Sequence, residues 1–117
     1  MEDFVERSLL FDFYGELLTE HQRKVYAAIV FEDYSVSEVA REVGISRQGV
    51  HDLMKRCDRL LEEYEERLHL VERFVRIRDR VSEIRRLTAG AGNAAETVPG
   101  QNLAEIDRIA AEILEEL

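Results

Sequence analysis

Ser35 and Glu38 stand three residues apart, just ahead of a short apolar repeat, and that spacing decides much of what the chain can fold into. A serine oxygen at the mouth of a helix accepts from an orphan N–H, and a glutamate three residues on reaches back to the N–H of the cap. Val39, Ala40 and Val43 follow at helical spacing. Gly44 comes next, the residue type that ends a helix in the left-handed region without a Cβ clash. Ile45 is expected to be the buried residue of a turn, and Ser46 to cap a second helix. Val50, Leu53, Met54, Cys57, Leu61, Tyr64 and Leu68 then mark one face of that helix. Two helices crossing steeply through a tight turn leave little room, which is why Ala40 is small. Val39, Val43, Ile45, Val50 and Leu53 are expected to bury the joint. Together these features define a helix-turn-helix.

The outward side of the second helix carries Ser46, Arg47, Gln48, His51, Lys55, Arg56 and Arg59, which are the candidate nucleic-acid-binding residues. A recognition helix presents its first turns to the major groove, so Arg47, Gln48 and His51 would face base edges. Arginine can pair bidentately with guanine and glutamine with adenine. Lys55, Arg56 and Arg59 would meet phosphates. Asp52 opposes phosphate unless it pairs with Arg56 one turn on. The bland alternative is an ordinary solvated helix face of mixed charge.

Charge bears directly on that choice. The whole chain has a net charge of −9, whereas nucleic-acid binders are usually basic. The excess is uneven: residues 36–61 carry 5 basic and 4 acidic side chains, while residues 1–35 carry 3 and 8. Residues 88–117 carry 1 and 6. The motif is therefore the least acidic part of an acidic molecule. That permits a local nucleic-acid contact and predicts weak binding without a partner.

On the N-terminal side, Phe4, Val5, Leu9, Leu10, Phe13, Tyr14, Leu17 and Leu18 predict a helix over 3–18. Gly15 within it implies close packing. Thr19 caps a second helix over about 20–32. Beyond the motif, Glu62, Glu63, Glu65 and Glu66 form a solvated acidic run, and Leu68-His69-Leu70 marks a bend. A helix follows over 71–87, its apolar stripe surrounded by Arg73, Arg76, Arg78, Arg80, Arg85 and Arg86. Those arginines either meet phosphate or pair with Glu72, Asp79 and Glu83. Residues 88–101, rich in Gly, Ala and Thr, read as a flexible linker. Asn102 and Glu105 have capping-box spacing, and Leu103, Ile106, Ile109, Ala110, Ile113, Leu114 and Leu117 give a last amphipathic helix over 102–117. Its stripe must pack on its own domain or on another subunit.

His21, His51 and His69 are scattered, so neither a metal site nor any other cofactor is expected. Neither a nucleophile elbow nor a dinucleotide fingerprint occurs, and enzymatic activity is not expected. Cys57 is the single cysteine and lies on an apolar helical face, as a small core residue in a reducing cytoplasm would. No apolar run reaches membrane-spanning length.

The runs Leu10-Phe11-Asp12-Phe13-Tyr14-Gly15-Glu16-Leu17-Leu18-Thr19 and Val43-Gly44-Ile45-Ser46-Arg47-Gln48-Gly49-Val50 have a further implication. With Leu60-Leu61-Glu62-Glu63-Tyr64-Glu65-Glu66-Arg67-Leu68, they resemble the YlxM family over about residues 8–87. These are small bacterial helix-turn-helix proteins similar to the fourth region of sigma factors. The resemblance implies a regulatory role in the signal recognition particle pathway, through contact with its RNA or its GTPase. It departs from the family at His69, where glycine is expected in Leu-Gly-Leu, and in the tail over 88–117.

The expected fold is all-α: a sigma region 4-like helix-turn-helix of the winged-helix-type superfamily, without a wing, plus C-terminal helices. The expected division is a helix-turn-helix domain with extended helices over 1–87, a linker over 88–101 and an amphipathic helix over 102–117. The expected function is nucleic-acid-binding regulation in the cytoplasm, with DNA or signal recognition particle RNA as ligand and no membrane insertion. A homodimer is also expected, since the C-terminal stripes exceed what a small core needs. The rival reading is a protein–protein module that binds a signal recognition particle component, such as its GTPase, with the helix-turn-helix as scaffold.

Overall fold

Capping chemistry sets the helix boundaries through the first half of the chain. In the computed structural model, which describes residues 3–89 and 98–117, α1 spans Asp3–Tyr14 and passes into a 3-10 turn at Gly15–Leu17. Thr19 caps α2, Glu20–Val30, in a full capping box with Gln22. Ser35 caps α3, Val36–Val43, in the box with Glu38 that the spacing predicts. The Ser35 N–H, and after it the Ser35 hydroxyl, hold the Glu38 carboxyl below its ordinary pKa. Ser46 caps α4, Arg47–Leu68. Two more helices follow, α5 at Leu70–Leu87 and α6 at Gly100–Glu116. The described residues contain no strand, and the fold is all-α.

The chain forms two compact units, Met1–Val71 and Glu72–Leu117. The division falls within α5, because Leu70 and Val71 pack against the core of the first unit while Arg76 and Arg80 are held by α6. Residues 90–97, most of the segment read as a linker, lie outside the described residues.

In the first unit α4 is the spine on which α1, α2 and α3 rest. Its inward stripe of Val50, Met54, Cys57 and Leu61 meets Leu10, Tyr14 and Leu18, then Val25 and Tyr26 of α2, then Val39 and Ala40 of α3. Burying each of the valine, leucine and methionine side chains among these stabilises by about 1.5–3 kcal/mol. Phe11 stacks on Tyr26 with ring centroids 5.6 Å apart. A Cβ on Gly15 would lie 3.3 Å from the Phe11 ring, which is the close packing that this glycine implies.

Two tyrosines whose rings fill the core are also polar anchors. The Tyr26 ring is fully buried, and its hydroxyl donates to Asp58 at 2.7 Å. The other oxygen of Asp58 accepts from Arg7 at 2.6 Å, so one carboxylate ties α1, α2 and α4 together. Burial, and then the Asp58 bond, push the Tyr26 phenol far above its ordinary pKa, which keeps it a donor. The Tyr14 hydroxyl donates to Glu65 at 2.6 Å and accepts from the Leu70 N–H at 3.0 Å. Glu65 also accepts from the Val71 N–H at 3.0 Å. Two orphan donors at the start of α5 are thereby satisfied from α1 and α4. The bend itself falls at His69, in the left-handed region at φ 57°, where glycine would be unstrained.

In the second unit α6 runs against α5. Arg76 pairs with Glu116, Arg80 with Glu112 at 3.0 Å, and the Asn102 amide donates to the Leu87 carbonyl at 3.1 Å. Asn102 is thus not the helix cap that its spacing with Glu105 suggests. The helix opens two residues earlier, at Gly100 behind Pro99, and Glu105 pairs with Arg108 instead. Only Ile109 of the stripe is fully buried, while Leu103, Leu114 and Leu117 stay exposed.

Candidate nucleic-acid interface

The geometry of the motif follows from three small residues. Gly44 takes φ 77°, and the N–H groups of Gly44 and Ile45 both donate to the Ala40 carbonyl, at 3.0 and 3.1 Å. That closes α3 in two bonds and turns the chain at once. Ser46 then accepts from the Gly49 N–H at 2.9 Å. A Cβ at Gly49 would lie 3.2 Å from the Ser46 hydroxyl, so glycine leaves room for the cap. Ile45 departs from expectation. It is 36% exposed rather than buried, because its backbone closes the turn at the surface and its side chain lies over Gly49. Val39, Ala40 and Val50 bury the joint, with Val43 and Leu53 partly buried around it.

Ser46, Arg47, Gln48, His51, Lys55, Arg56 and Arg59 are all exposed. At 3.6 residues per turn, Gln48, Asp52, Lys55 and Arg59 stand directly opposite the buried Val50–Met54–Cys57–Leu61 stripe. Arg47 and His51 lean toward the start of α3. There they line an open groove with Ser35, Val36, Ser37 and Gln48. Arg47 reaches the Ser37 hydroxyl at 3.4 Å, a long contact that a ligand could displace. The groove thus gathers a guanidinium, an imidazole, an amide and two hydroxyls at the adjoining N-terminal ends of two helices. Both helix dipoles favour an anion there.

Two contacts at the site lie beyond what the sequence pattern shows. Ser37 meets Arg47 across the turn, a contact between helices that no single-helix spacing reveals. Asp52, which opposes phosphate unless it pairs with Arg56, accepts from Gln48 Nε2 at 2.9 Å. The four-residue spacing of a glutamine and an aspartate was the available signal.

The arginines of α5 are largely occupied. Arg76 bonds Glu72 and Glu116, Arg86 bonds Glu83, and Arg80 lies in ion-pair range of Glu112. This favours the amphipathic, ion-paired reading of that helix over a phosphate-binding one. Among the described residues, no three His, Cys, Asp or Glu side chains converge as a metal site. Cys57 is fully buried, and burial pushes its thiol up to about 11. No helix of the described residues is long and apolar enough to cross a membrane.

Fold and site define a helix-turn-helix protein with an exposed, polar second helix. Residues 1–98 match the family described as "Putative helix-turn-helix protein, YlxM / p13 like". The chain belongs to this family, UPF0122. It is 42% identical over 85 residues to a UPF0122 protein of Thermoanaerobacter sp., covering 73% of each chain. A UPF0122 protein of Symbiobacterium thermophilum is 45% identical over 86 residues, covering 71% of this chain and 80% of the relative. One from Clostridium botulinum is 49% identical over 76 residues, covering 65% and 70%.

Proposed function

We propose that the chain is a non-enzymatic, cytoplasmic regulator that reads duplex nucleic acid through the first half of α4. The supporting observation is the exposed N-terminal half of that helix, with Arg47, Gln48 and His51 on its first two turns. These three meet base edges, while Ser46, Lys55, Arg56 and Arg59 meet phosphates and set the register. B-form DNA suits this geometry, since the deep, narrow major groove of A-form RNA excludes side chains. A salt series with the purified protein and duplex DNA tests the reading. Affinity should fall linearly on a log–log plot against salt, and the slope should drop by about 1 for each of Lys55, Arg56 and Arg59 changed to alanine. Absence of binding at low salt sinks it.

The acidic balance supports a second reading, a protein–protein module. The net charge is −9, and in the second unit Phe74, Val81, Leu103, Leu114 and Leu117 remain exposed. Under this reading the helix-turn-helix is a scaffold and α5 with α6 carries the contact. The partner is then a second copy of the chain, giving a homodimer, or the GTPase of the signal recognition particle. The link to that pathway rests on family resemblance, and titrating signal recognition particle RNA and its GTPase alongside DNA discriminates the ligands.

A further inference from the structure

A glutamine amide carries two N–H donors and one carbonyl acceptor, and on the outward face of α4 one of these is already taken. Gln48 Nε2 donates to Asp52 Oδ1 at 2.9 Å, one turn along the helix. Both side chains are exposed, and they stand opposite the buried stripe, so core packing does not dictate the contact. It has two consequences. An ionised carboxylate only accepts, so it fixes the amide with its nitrogen toward Asp52 and its oxygen turned away. It also consumes one donor, which leaves one donor and one acceptor for anything that approaches.

That remainder matches one base. In the major groove adenine presents an acceptor at N7 and a donor at N6, whereas guanine presents two acceptors, N7 and O6. An amide with a free oxygen and a single free N–H satisfies adenine. It cannot supply the two donors that guanine asks for. Without Asp52 the amide could flip or turn both N–H groups on guanine, and the distinction would blur.

We propose that Asp52 is a specificity-determining residue, which holds the Gln48 amide so that α4 accepts adenine and rejects guanine at the contacted base pair. The inference rests on the nucleic-acid reading proposed above. It also explains a carboxylate between Gln48 and the cations of Lys55, Arg56 and Arg59, where it works against phosphate. Asp52 weakens binding to every sequence while it sharpens the choice among them.

The test selects duplexes from a DNA library with a randomised core, using the full chain. Dissociation constants are then measured for the selected duplex and for its A·T to G·C variant at each position. The position read by Gln48 is the one whose preference Gln48→Ala erases. There the wild type should prefer adenine over guanine by about tenfold. Asp52→Ala should bind both duplexes more tightly and shrink the preference to about twofold or less. Asp52→Asn keeps a carbonyl acceptor but not the charge, so it should bind more tightly and retain the preference. A guanine preference in the wild type, or an unchanged preference in Asp52→Ala, overturns the inference and leaves nucleic-acid binding standing. So does a set in which Gln48→Ala alters no position. Parallel loss of affinity and preference in Asp52→Ala marks a purely structural role and also overturns it. If the wild type binds no duplex, the inference falls together with the reading beneath it.

Discussion

Residues 3–71 and residues 72–117 carry apolar stripes of similar regularity, yet the two units use them differently. In the first unit four helices share one core, and Tyr14, Tyr26, Val50, Cys57 and Leu61 are almost wholly excluded from solvent. In the second, two helices face each other and, among its described residues, only Ile109 is fully buried. Periodicity says that a helix has a face to cover. It does not say what covers it, because that depends on how many other faces converge on the same place. The first unit is therefore expected to have a cooperative core of its own, and the second to owe more of its order to ion pairs across α5 and α6.

The largest effect that would sharpen this contrast is at Leu61. Leu61→Ala should destabilise by about 3 kcal/mol in chemical denaturation, through lost burial and the cavity left behind. Leu103→Ala on α6 should change stability by no more than about 0.5 kcal/mol. Similar losses from the two substitutions would break the comparison.

Next comes the anchor at the start of α5. Tyr14→Phe removes the hydroxyl that serves both Glu65 and the Leu70 N–H. A loss of about 1–2 kcal/mol is expected, since a backbone donor is left without its acceptor. Amide exchange at Leu70 should speed up more than exchange in α2; uniform acceleration would deny the anchor its local role. Gly44→Ala should cost about 1 kcal/mol in thermal unfolding, because φ 77° strains any residue with a Cβ.

Alkali offers a subtler probe of the first unit. Burial raises the Cys57 thiol from 9.0 to about 11, and burial likewise raises the Tyr14 and Tyr26 phenols. An acid whose folded pKa is raised contributes stability that is complete below its unfolded pKa. That contribution is lost as pH climbs, since the unfolded chain releases its proton first. Stability should therefore fall between about pH 9 and 11, and Cys57→Ala should flatten part of that fall. The native thiol should also resist a thiol reagent at pH 8 until the protein unfolds. The smallest effect belongs to the ion pairs of the second unit. Glu116→Gln removes one of the two carboxylate partners of Arg76 at the surface, and any loss should vanish in high salt.

Local rules made much of the first unit legible. Ser35 with Glu38, Gly44 and Ser46 are short-range signals, and each boundary that they predict is where the helices turn. Contacts between distant residues were not legible in that way. Tyr14 and Tyr26 fit an apolar pattern because their rings are apolar, while their hydroxyls find Glu65 and Asp58 only in the folded chain. The Asn102 spacing promised a cap, but Pro99 starts the helix earlier and leaves the amide to serve Leu87. At the site, exposure of Gln48, Lys55 and Arg59 followed from the buried stripe opposite them. The Ser37–Arg47 contact did not, because it depends on how α3 and α4 cross.

Whether α4 meets a duplex with its first half can be read from an amide NMR titration of the full chain with duplex DNA at low salt. Shift changes should concentrate at 35–37 and 46–59, with α5 and α6 little affected. Changes confined to α5 and α6, or no changes at all, would contradict the duplex reading and make the second unit the place to look for a partner.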